Sequence, residues 1–113
     1  MSTSTAQLLD LTARAAGTTD PGALLEMLQA GHTHWCAGVA ELRAHIAERC
    51  AAMSDQEVAE ACVHAGAPWE PGATREETVA YLAFAEWDRS PAAIAYTELA
   101  TRAAELGVCL APG

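Results

Sequence analysis

The sequence predicts an all-α protein: a compact bundle of about five helices in one domain spanning residues 1–113, with a long second helix. Three observations carry this. Alanine supplies 27 of the 113 residues, and alanine is the strongest helix former. Only seven residues are Val or Ile, so strands lack the β-branched side chains they favour. Four helix starts are written into the chain, as Asp20-Pro21, Ser54 to Glu57, Thr74 to Glu77 and Ser90-Pro91.

The first helix is expected over about residues 5–16. Leu8, Leu11 and Ala15 share a face there, and Gly17 is a natural stop. Thr19-Asp20-Pro21 opens the second, with a capping residue before a proline in the first turn. Leu25, Leu28, Trp35, Val39, Leu42, Ile46 and Met53 continue it to about residue 53 as a seam of coiled-coil type, and His32 falls in that seam. His34, Glu41, His45 and Glu48 form the opposite, solvated face. A helix of that length is roughly 50 Å long, against a radius of gyration of ~13 Å for a compact domain of this size. The expectation is a kink or break near Gly31 or Gly38, or a helix that protrudes to meet a partner.

Ser54-Asp-Gln-Glu57 is a capping box, in which serine and glutamate satisfy each other's orphan N–H groups. The third helix it opens stops at Gly66. Two prolines and two glycines then forbid regular structure up to Ala73. A second box, Thr74-Arg-Glu-Glu77, opens the fourth helix, which runs to about Asp88. Ser90-Pro91 opens the fifth, whose buried face includes Leu99, Ala103 and Leu106, and Gly107 ends it. The tail from Val108 to Gly113 is short enough to dock on the bundle. Trp35, Tyr81, Phe84 and Trp87 are expected in the core.

Composition narrows the function. The net charge is −9, and all six basic residues are arginine. With no clustered cations to neutralise phosphates, nucleic acid and anionic membranes are poor partners. A basic protein partner suits this charge, and so does solubility alone. The absence of Lys and Asn fits a GC-rich coding bias. No apolar run approaches the ~18 residues of a membrane span. Met1-Ser-Thr-Ser-Thr has neither a basic n-region nor an apolar h-region, so a cytoplasmic protein is expected. Cys36, Cys50, Cys62 and Cys109 should then be free thiols, and their spacing contains no C-x-x-C pair.

Residues 31–38, GHTHWCAG, hold the densest group of reactive side chains. His32 and Cys36 lie four apart and share a helical face. That spacing supplies two ligands to a zinc ion, but two ligands are not a site, so no metal or other cofactor is assigned. Glu41/His45 and Glu60/His64 share faces too, without the Glu-x-x-His spacing of di-iron bundles. No phosphate loop and no nucleophile motif is present, so catalytic residues stay unassigned. Trp69 stands in the loop Pro68-Trp-Glu-Pro71, where it either anchors a partner or folds back as a plug over one end of the bundle.

Residues 25–42, LEMLQAGHTHWCAGVAEL, resemble a family of short helical actinomycete proteins of unknown function associated with natural-product biosynthesis. Members carry a Leu-rich helix with a Gly-His pair, here Gly31-His32, followed by further apolar turns. The resemblance implies a helical fold and an actinomycete source. It implies no activity.

The expected function is a binding or regulatory module that works through a protein partner or a homodimer. One alternative is a small helical enzyme or ligand-binding protein of specialised metabolism. Its small-molecule pocket would lie near His32, Trp35 and Cys36. Another is an acidic inhibitor that mimics nucleic acid, using Glu41, Glu48, Glu57, Glu60, Glu70, Glu76 and Glu77. The ligand-binding candidates are therefore His32, Trp35, Cys36 and Trp69.

Overall fold

The computed structural model describes residues 3–67 and 69–110. Met1 and Ser2, Pro68 beside Trp69, and the last three residues of the tail lie outside the described residues. Five helices follow in order: α1 (Thr3–Ala15), α2 (Pro21–Cys50), α3 (Asp55–His64), α4 (Arg75–Asp88) and α5 (Pro91–Glu105). No strand occurs among the described residues. No helix among them is long and apolar enough to cross a membrane.

The expected starts are all used. The Asp20 carboxylate accepts the Ala23 N–H at 3.1 Å, ahead of Pro21. The Ser54 hydroxyl accepts the Glu57 N–H at 3.2 Å, and the Glu57 carboxylate accepts the Ser54 N–H at 3.0 Å. Thr74 and Glu77 repeat this box at 3.1 and 3.4 Å. The Ser90 hydroxyl accepts the Ala93 N–H at 3.2 Å. Each interaction satisfies a donor that the first helical turn would leave bare.

The ends rely on glycine twice and on arginine three times. Gly66 and Gly107 each have a φ of 77°, the left-handed geometry that closes a helix without a Cβ penalty. Gly17 does not adopt positive φ, so α1 stops where expected by another device. Arg102 donates to the Ala15 carbonyl at 2.6 Å and to the Thr18 carbonyl at 2.9 Å. Arg75 donates to the carbonyls of Cys50 and Met53 at the end of α2. Arg89 donates to the Ala65 carbonyl at the end of α3. Cationic donors suit these positions because the last carbonyls carry the negative end of the helix dipole.

The described residues fall into two compact units. The first takes the residues up to Gly38 and those from Ser90 onward. Its core joins Leu11, Ala15, Leu24, Leu28, Leu99, Ala103 and Val108. The Thr12 hydroxyl ties α1 to α5, lying 2.7 Å from the Ala95 carbonyl oxygen. The second unit runs from Val39 to Arg89. Ile46, Cys50, Val58, Val79, Leu82 and Ala83 form its core.

α2 runs without interruption through Gly31 and Gly38, so neither glycine breaks it. Both are buried. The buried line of α2 passes through Leu24, Leu28, Gly31, Gly38, Ile46 and Cys50, with Trp35 and Leu42 half-buried beside them. This corrects the expected seam at two points. Leu25 is 37% exposed and His32 is exposed. Each lies one residue, about 100° of helix, past the buried line. Glycine at 31 makes room for a ring from α5, so the contact face follows residue 31 rather than 32.

The expected aromatic core also needs correction. Trp87 is buried, and Trp35 and Tyr81 are half-buried, but Phe84 is 51% exposed. α4 buries Thr78, Val79, Leu82, Ala83 and Trp87, and Phe84 falls just outside that arc. Leu106, placed on the buried face of α5, is also exposed, because it caps the helix instead of continuing it.

Candidate functional site

Three of the four candidate residues lie on α2 in the first unit. His32 and Cys36 are both exposed, and the Cys36 Sγ lies 3.7 Å from the His32 Nε2. The i,i+4 spacing has brought thiol and imidazole together as expected. Trp35 turns the other way, onto Tyr96 of α5, with ring centroids 5.2 Å apart and a tilt of 52°. This tilted pairing is the geometry aromatic quadrupoles favour.

Tyr96 is the residue that sequence reasoning missed. It fills the space over Gly31, where a Cβ would meet its Cε2 at 2.8 Å. Gly31, where a kink or break in α2 is expected from the sequence, instead admits a side chain of the protein itself. Burial pushes the Tyr96 phenol up from its ordinary value, and the nearby charge of Cys36 adds to this. A hint existed in the sequence, since a glycine inside a strong helix costs about 1 kcal/mol against alanine and calls for a packing reason.

The fourth candidate, Trp69, belongs to the second unit. Its backbone N–H donates to the Ala67 carbonyl at 2.8 Å, and the residue is half-buried. It takes part in two clefts along α3. One, of about 300 Å³, is lined by Asp55, Val58, Ala73, Arg75 and Thr78, among others. The second, of about 480 Å³, is more open and more apolar, with Gln56, Ala59, Glu60, Val63, His64 and Trp69 as its walls. Val63 is 58% exposed there. Beside the first cleft the Arg75 guanidinium is paired with Asp55 at 2.6 Å and also holds the carbonyls at the end of α2.

Glu60 accepts from the Gln56 amide at 3.2 Å. Among the described residues, no three side chains of His, Cys, Asp or Glu come together to hold a metal ion. Glu41, Glu48, Glu57, Glu60, Glu70, Glu76 and Glu77 are all exposed, but Glu57 and Glu77 are committed to capping boxes. Cys50 and Cys62 are buried free thiols, while Cys36 and Cys109 are exposed. Burial pushes the Cys62 thiol up.

No protein-family model, no curated protein and no solved structure matches this chain.

Proposed function

We propose that this chain is a protein-binding module that takes up an apolar side chain of a basic partner in the cleft between Trp69 and α3. The observation that carries this reading is the apolar wall of half-buried Ala59 and Trp69 with exposed Val63. Tryptophan in a concave apolar setting is the typical anchor of a binding hot spot. The loop that holds it includes Pro71, whose fixed φ limits the entropy lost on binding. The charge supports a basic partner. Glu60 is among the walls and no arginine is, on a chain of net charge −9. A second copy of the chain would set acidic surfaces against each other, so a basic partner is favoured over self-association through this cleft.

A random-peptide display library panned on the immobilised protein tests the reading. The expected winners pair a bulky apolar residue with arginine or lysine. Trp69→Ala and Val63→Glu, each checked for retained helix content, should weaken those peptides at least about tenfold, the loss typical of a hot spot. Peptides retained equally by both variants, or winners with no such pairing, would overturn it.

A further inference from the structure

We propose that His32 and Cys36 form half of a zinc site, which a second copy of this chain completes. The separation of the two donor atoms already matches that of a zinc site. Zinc binds thiolate sulfur at about 2.3 Å and imidazole nitrogen at about 2.0–2.1 Å, and a tetrahedral angle between those bonds sets sulfur and nitrogen about 3.6 Å apart. Cys36 Sγ and His32 Nε2 already stand 3.7 Å apart. Both residues sit on consecutive turns of an unbroken helix, so little backbone freedom is lost when the ion binds.

One chain cannot finish the coordination sphere, since no third ligand of these types joins the pair among the described residues. Two copies related by a two-fold axis through the ion supply two thiolates and two imidazoles, a closed tetrahedral set. The surface around the pair permits that approach. Gln29, Thr33, Ala37 and Ala40 are exposed, uncharged and mostly small. Each thiol gives its proton to solvent as its zinc–sulfur bond forms. Two thiolates then balance the dication, so the closed site adds no net charge between two acidic chains. A thiolate–imidazole set also selects zinc over magnesium and calcium, which prefer oxygen. The pair lies on α2 and makes no use of Trp69, so this inference and the peptide-binding reading stand or fall separately.

The test uses the whole chain, reduced and stripped of metal by chelation, titrated with zinc alone and followed by sedimentation velocity. The expected result is a monomer that becomes a dimer at one zinc per two chains. Cobalt in place of zinc should give the intense visible bands of a tetrahedral thiolate site. His32→Ala and Cys36→Ser, both at exposed positions, should keep the helical circular dichroism and lose the zinc-dependent dimer. Cys109→Ser should retain it. A chain that stays monomeric with saturating zinc would overturn the proposal. So would a zinc-dependent dimer that survives both α2 variants, or binding of one zinc per chain.

Discussion

Tyr96 of α5 lies over Gly31 of α2 so closely that a methyl group at position 31 would stand 2.8 Å from its Cε2 and 3.0 Å from its Cδ2. The ring has little freedom to withdraw, because Trp35 faces it at 5.2 Å. Gly31→Ala therefore sets two effects against each other. Better helix propensity contributes about 1 kcal/mol, while overpacking costs about 1–3 kcal/mol. The expected outcome is a lower thermal midpoint for the single variant. In a Tyr96→Leu background, which vacates the ring position, the same substitution should raise the midpoint. A double-mutant cycle reads the difference directly, and additive effects would show that the ring does not constrain residue 31.

Arg75 separates the worth of a surface ion pair from that of a helix cap. Its pair with Asp55 is short at 2.6 Å, but the Asp55 side chain is 86% exposed, and exposed pairs contribute about 0–1 kcal/mol. Its bonds to the carbonyls of Cys50 and Met53 are part-buried. Charged donors to such groups are worth about 1.5–3 kcal/mol. Arg75→Ala should therefore lower unfolding stability by about 2 kcal/mol, and Asp55→Ala by less than about 1 kcal/mol. Denaturant unfolding of both variants checks this, and equal losses would assign the stabilisation to the ion pair.

Glu57 gives the capping box of α3 a dependence on pH. The Ser54 backbone N–H, and secondarily its hydroxyl, hold the Glu57 carboxyl below the ordinary glutamate value. A folded value below the unfolded one means that the box contributes fully above the ordinary glutamate range. That contribution fades as pH falls through the lowered folded value. Wild type should exceed Glu57→Gln in thermal midpoint near neutrality and converge with it in acid. A gap that stays constant across the acid titration would show that the ionised carboxylate is not what caps the helix.

The sequence by itself determined where the helices begin and most of where they stop. Ser54, Glu57, Thr74, Glu77, Ser90 and Pro91 act on backbone groups within three or four residues of themselves, so no distant part of the chain is needed to read them. The proximity of His32 and Cys36 was legible for the same reason, since one turn of helix sets it. Only the tertiary structure decided which stripe of α2 is buried. Helical spacing admitted a stripe through residue 32 or through residue 31, and the ring of Tyr96, 65 positions along the chain, favoured the glycine. It also decided that Phe84 faces outward, and that arginines 75, 89 and 102 cap helices distant from them in sequence. Local hydrogen bonds fix the elements, but the contacts between elements depend on which side chains fit together in space, and periodicity alone cannot choose between neighbouring stripes of an alanine-rich helix.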